Sequence, residues 1–109
     1  MYQTLLADFI EVLPDRLKAS DQFIQGFHQA PEPPSMIEVY PQQNQGAWIL
    51  VKWPEIRLEV FTYPAKNLVT LDLYAPKEMD LDALFRKLVG YFEPSVIRKT
   101  ILSRGILDA

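Results

Sequence analysis

Pro54-Glu55-Ile56-Arg57-Leu58-Glu59-Val60-Phe61-Thr62-Tyr63 reads as a two-residue turn feeding a strand, with Ile56, Leu58, Val60 and Thr62 alternating with Arg57, Glu59, Phe61 and Tyr63. Successive side chains of a strand point to opposite faces, so this alternation predicts a sheet with one buried and one outward face. Ala47 to Trp53 is a second apolar strand on the near side of Pro54-Glu55, which makes that dipeptide the closure of a hairpin. Beyond a further turn at Pro64-Ala65-Lys66-Asn67, Leu68 to Tyr74 sets Val69, Leu71 and Leu73 against Thr70, Asp72 and Tyr74. Three consecutive strands with short connections form an antiparallel meander.

The flanking sequence extends this unit in both directions. Met36 to Tyr40 is another strand, joined to the hairpin by the polar loop Pro41-Gln42-Gln43-Asn44-Gln45-Gly46. Before it, Pro31-Glu32-Pro33-Pro34 is a rigid connector that ends a helix, because the residue preceding a proline is pushed out of the α region. That helix is predicted to start at Ser20 as N-cap, with Asp21 in its first turn and Phe23, Ile24 and Phe27 on one face. Gly26 weakens it by about 1 kcal/mol relative to alanine, so tertiary packing must hold it. Leu13-Pro14-Asp15 reads as a turn, and Tyr2 to Ile10 as a first strand buried at Leu5-Leu6-Ala7.

The clearest helical period follows Asp80, where Leu81, Leu84, Phe85, Leu88, Val89 and Phe92 recur on one stripe. Asp80 is expected to cap this helix, Asp82 to complement its dipole, and Arg86 and Lys87 to face solvent. Pro94 stops it, and Val96 to Leu102 is a last strand before Arg104-Gly105. The order β-α-β-β-β-β-α-β predicts an α+β fold, a two-layer α/β sandwich whose antiparallel sheet carries two helices on one face. Residues 1–109 are read as a single domain, since a chain of 109 residues with 49% hydrophobic content fills one core but not two.

Composition removes several classes of function. Eleven basic residues are scattered among 14 acidic ones for a net charge of −3, so no basic stripe exists to meet a nucleic acid backbone. With no cysteine there are no disulfides, thiolate nucleophiles or zinc-thiolate sites. No apolar run approaches the roughly 20 residues that a bilayer-spanning helix needs. Met1-Tyr2-Gln3-Thr4 also lacks the basic start of a secretory signal. The expectation is a cytoplasmic protein without membrane or nucleic acid partners.

Between Gly46 and Gly105 the chain resembles the small prokaryotic, pyruvoyl-dependent S-adenosylmethionine decarboxylases. Leu58-Glu59-Val60-Phe61-Thr62-Tyr63-Pro64 is similar to that family's strand ending in Thr-Trp-Pro, and Leu71-Asp72-Leu73-Tyr74 to its Val-Asp-Val-Phe strand. The helix after Asp80 and the closing strand with Arg104-Gly105 keep the family's order, as do the first strand and first helix by pattern. The resemblance implies self-cleavage between a Glu and a Ser at the hairpin, the Ser becoming a pyruvoyl group whose carbonyl forms a Schiff base with the substrate amine. Here Glu55 stands at the Glu position, but Ile56 replaces the Ser, and no Glu-Ser dipeptide occurs elsewhere. By the same resemblance Phe61 takes the place of a histidine, Pro76 of a proton-donating cysteine, and Ala65 of a carboxylate that would hold a ribose. The implication is a catalytically inactive homologue with no pyruvoyl cofactor.

The remaining chemistry-bearing residues each have an ordinary reading. His28, the only histidine, is expected on a helix surface. Asp80 and Asp82 form a cap and a dipole complement more readily than a metal pair, so no metal site is assigned. Glu55 is either a relic still touching a ligand or a solvated turn carboxylate, and Glu55, Thr62, Tyr63 and Tyr74 are the candidate ligand-binding set. Trp48, Trp53, Phe61, Tyr63 and Tyr74 could stack a planar base or form a subunit interface. The leading expectation is a regulatory or interaction subunit linked to polyamine metabolism, pairing as a homodimer or as a heterodimer with a family paralogue. The alternatives are a small-molecule domain with a reshaped nucleoside or polyamine pocket and, weakest, an enzyme of different chemistry.

Overall fold

The computed structural model describes residues 2–18, 20–30 and 32–104, with the side chains of Lys18, Ser20 and Arg104 outside the description. The chain runs through β1 (Tyr2–Ile10), α1 (Pro14–Lys18), α2 (Ser20–His28), β2 (Met36–Pro41), β3 (Ala47–Lys52), β4 (Arg57–Tyr63), β5 (Leu68–Pro76), α3 (Asp82–Phe92) and β6 (Val96–Arg104). Single 3₁₀ turns at Gln43–Gln45 and Pro64–Lys66 join β2 to β3 and β4 to β5.

The six strands form one antiparallel sheet in the order β2-β3-β4-β5-β1-β6. The predicted meander is present and includes β2. β1 lies inside the sheet, paired along its whole length with β5 (Leu5 opposite Leu73, Phe9 opposite Val69) and with β6 (Leu5 opposite Ile101, Phe9 opposite Ile97). One face carries Leu5, Ala7 and Phe9 together with Val51, Leu58, Val60, Val69 and Leu71, all buried under the helices. Phe9 is fully enclosed and meets Phe85 and Phe92 of α3 edge-on at 5.8 and 6.0 Å. Phe23 of α2 then packs on Phe27 and Phe92 to tie the two longer helices together.

The helical layer differs from expectation in three details. Among the described residues it holds three α-helices rather than two, because Leu13-Pro14-Asp15 opens a short helix and not a simple turn. Proline has no N–H to lose at the first helical position and its fixed φ suits the helix as well as a turn, while Leu17 supplies a buried anchor. Ser20 is the first residue of α2, and its expected capping side chain lies outside the described residues. At α3 the boundary residue is Leu81, not Asp80, although the Asp80 carboxylate still accepts the Asp82 N–H at 2.9 Å. Gly105 also lies outside the described residues, while β6 continues to Arg104, two residues beyond the expected end. Among the described residues no helix is long and apolar enough to cross a membrane.

Candidate functional site

The Trp53–Ile56 turn organises one end of the sheet. The Trp53 N–H donates to the Ile56 carbonyl at 2.9 Å across Pro54-Glu55, which fixes the register at Lys52 opposite Arg57. Glu55 is left exposed at the apex, and Ile56 turns back, half-buried, against the core. Trp53 swings to the helical side, meets Phe27 edge-on at 5.5 Å and donates its indole N–H to the Glu32 carbonyl at 2.9 Å. Ser35 donates both its N–H (2.8 Å) and its hydroxyl (3.0 Å) to the Lys52 carbonyl, so the proline-rich connector is fastened to the hairpin.

Two hollows flank this turn. On the helical side a cavity of about 730 Å³ lies between Phe27, Trp53, Ile56, Met79 and Leu84, with Glu32, Glu55 and Lys87 contributing its polar groups. On the open side a shallower hollow of about 490 Å³ is bounded by Tyr2, Lys52, Glu55, Arg57 and Tyr74. There the Arg57 guanidinium sits 5.4 Å over the Tyr74 ring, and Tyr74 stacks on Tyr2 at 5.0 Å.

The candidate ligand residues fall into two groups. Glu55 and Tyr74 share the open-side hollow, whereas Thr62 and Tyr63 border another of about 410 Å³ beside Asn44 and Lys66. The seven residues of β4 separate these ends by roughly 20 Å at about 3.3 Å per residue. Thr62 faces the core, is 5% exposed, and accepts the Ala47 N–H on its hydroxyl at 2.9 Å. Tyr63 faces the other way and is exposed.

The positions at which the resemblance sets reactive groups are likewise dispersed. Ile56 and Pro76 lie toward one end of the sheet, Phe61 in the middle of β4 on the outward face, and Ala65 in the turn at the far end. Phe61 stacks on Trp48 at 5.7 Å with nearly parallel rings, and Tyr40 packs on the other side of Trp48 at 4.9 Å. Tyr40 donates its hydroxyl to the Glu38 carboxylate, and that bond raises its pKa above the ordinary phenol value. The Trp48 indole N–H is buried without a partner among the described residues.

Several site residues are not legible from local sequence. Next to Phe61 a hollow of about 470 Å³ carries Asp8, Thr70, Asp72, Arg98 and Thr100, drawn from three strands. Only their outward phase in each strand is visible in the sequence; their meeting follows from the insertion of β1 between β5 and β6. Phe27 and Leu84 read as members of apolar helix stripes and Met79 carries no signal, yet all three line the helix-side cavity.

Comparison with known proteins matches residues 3–105 to the family described as S-adenosylmethionine decarboxylase. Among solved structures the chain is similar to the adenosylmethionine decarboxylase from Aquifex aeolicus VF5, with a TM-score of 0.77 and 23% sequence identity. That likeness covers 99% of this chain and 93% of the Aquifex chain. No curated protein sequence matches the chain.

Proposed function

The chain belongs to the S-adenosylmethionine decarboxylase family, and from that premise we propose that it is a non-catalytic member, a regulatory or interaction subunit linked to polyamine metabolism in the cytoplasm. The observation that carries this reading is Ile56 after Glu55. A pyruvoyl group is made from a residue bearing a hydroxyl or thiol, and a hydrocarbon side chain packed toward the core offers neither. The residues present therefore do not fit that cofactor. Phe61 and Pro76, neither able to move a proton, stand where the resemblance sets the histidine and cysteine.

Action through pairing is supported by the uncovered face of the sheet. Tyr2, Leu6, Tyr63, Val96 and Leu102 remain exposed there around the half-buried Phe61 and Tyr74. Exposed apolar side chains of this kind, set around the polar hollow of Asp8, Asp72 and Arg98, support a pairing surface of mixed character. The partner is a second copy or a catalytically active family member.

Two measurements test the proposal. The intact protein should give one uncleaved species of 12.6 kDa; two fragments breaking at Glu55 would overturn it. Sedimentation should show a dimer, or a complex with an active decarboxylase whose turnover changes on mixing. Leu6→Lys combined with Leu102→Glu should abolish that association while leaving the helical layer folded. A monomer that neither binds the active enzyme nor changes its turnover sinks the pairing role.

A further inference from the structure

We propose that the helix-side cavity beside the Trp53–Ile56 turn binds a small organic amine with a flat apolar body. The cavity of about 730 Å³ lies within the roughly 300–1,000 Å³ typical of small-molecule sites, and its walls are mostly apolar with a few polar groups, as such sites require. Phe27 and Trp53 meet at 68° between ring planes, so they form a corner. Phe27 is buried and braces the half-exposed Trp53 ring, which is the wall on which a planar ring can stack.

The walls are held in place before any ligand arrives. The Trp53 indole is tied to Glu32 on the connector at 2.9 Å, and the connector is tied to β3 through Ser35 and Lys52. On the opposite wall the Gln3 amide donates to the Met79 carbonyl at 2.8 Å and to the Pro76 carbonyl at 3.0 Å. A site whose walls are already ordered loses less conformational entropy on binding.

Charge selects the class of occupant. Three ionisable side chains line the cavity: Glu32, Glu55 and Lys87. The Lys87 ammonium lies 5.6 Å over the Phe27 ring, so its charge already has an aromatic partner. Among the described residues neither carboxylate is in an ion pair. Two carboxylates against one ammonium leave the lining with an excess negative charge, which a ligand cation beside the apolar wall balances. An ammonium carried on an aromatic or similarly flat skeleton supplies both the charge and the apolar contact.

This site is formed under the helices, on the opposite side of the sheet from the surface assigned to pairing, so each proposal can fail without the other. The test uses the full chain and two probes that share a ring but not a charge, tryptamine and indole-3-propionate, in isothermal titration. Tryptamine should bind at least tenfold more tightly than the carboxylate. Glu32→Gln with Glu55→Gln should weaken tryptamine at least tenfold and leave the melting temperature unchanged, because both side chains are exposed. Leu84→Trp, which fills the cavity, should abolish binding in a protein that still sediments as the parent does. Absence of tryptamine binding, tighter binding of indole-3-propionate through Lys87, or binding indifferent to both variants would overturn the proposal.

Discussion

The Thr62 hydroxyl is committed to the fold. It accepts the Ala47 N–H at 2.9 Å, and its own carbonyl lies 2.7 Å from where a β-carbon on Gly46 would stand. Thr62→Val removes the acceptor and leaves a part-buried N–H without one, at a cost of about 1–3 kcal/mol. Thr62→Ser, which keeps the oxygen, should cost less than half as much, and urea midpoints at constant slope would show the difference. Gly46→Ala must push one strand against the backbone of its neighbour and should destabilise by about 1–3 kcal/mol. Strand alternation identifies Thr62 as inward-facing but cannot name its partner, since Ala47 reaches it only through the register of the hairpin. Ile56 is the reverse case, because its chemistry is legible from the side chain alone. Ile56→Ser restores a Glu-Ser dipeptide yet leaves Phe61 and Pro76 in place, so the expected product is still a single chain by intact mass. The same variant loses stability, about 1–3 kcal/mol, from removing half-buried apolar surface.

The two longer helices each carry a glycine in a helical interior, Gly26 in α2 and Gly90 in α3. A β-carbon added at either position meets nothing within 4 Å. Alanine lowers the conformational entropy of the unfolded chain and raises helix propensity, so Gly26→Ala and Gly90→Ala should each stabilise by roughly 0.5–1 kcal/mol. For a domain of this size that is a rise of about 2–8 °C in melting temperature, and calorimetry of the two single variants checks it. Neither glycine has a positive-φ role to lose, unlike the left-handed helix end, which Glu93 supplies at φ 48°. At this scale the sequence is most informative. The stripe from Leu81 to Phe92 and the alternation in β4 and β5 are periodic within a few residues, and burial follows both. α1 escapes the same reading because Pro14-Asp15 suits a turn and a first helical turn equally; the burial of Leu17, a tertiary fact, decides between them. The helix-side cavity escapes it too, since periodicity identifies which residues turn inward but not where the inward surfaces stop touching.

The position of β1 is a property of the whole molecule. Its partners on either side begin at Leu68 and Val96, and nothing local in Tyr2–Ile10 specifies that both are needed to complete the sheet. A strand legible as buried could equally have been placed beside β2, which would have left β5 and β6 adjacent and the Asp8, Asp72 and Arg98 cluster unformed. Because β1 closes the sheet across most of the chain length, its core residues should control global stability, while the edge strand β2 should open locally at lower free energy. Phe9 concentrates this dependence, being fully enclosed and in edge-on contact with Phe85 and Phe92 at once. Phe9→Ala is expected to cost about 3–5 kcal/mol, a large part of the roughly 5–15 kcal/mol that a domain of this size commands. A fall of more than about 12 °C in melting temperature follows. Val39→Ala on β2, in register with Ile49 on the helix-side face but 40% exposed at the sheet edge, should shift it by less than about 3 °C. Hydrogen exchange separates the two effects. Amides of Leu5 to Phe9 and Leu71 to Leu73 should exchange only through global unfolding and accelerate together in Phe9→Ala, whereas those of Met36 to Tyr40 should already exchange faster in the parent protein. Equal protection of β1 and β2 would show that the sheet does not depend on its inserted strand in this way.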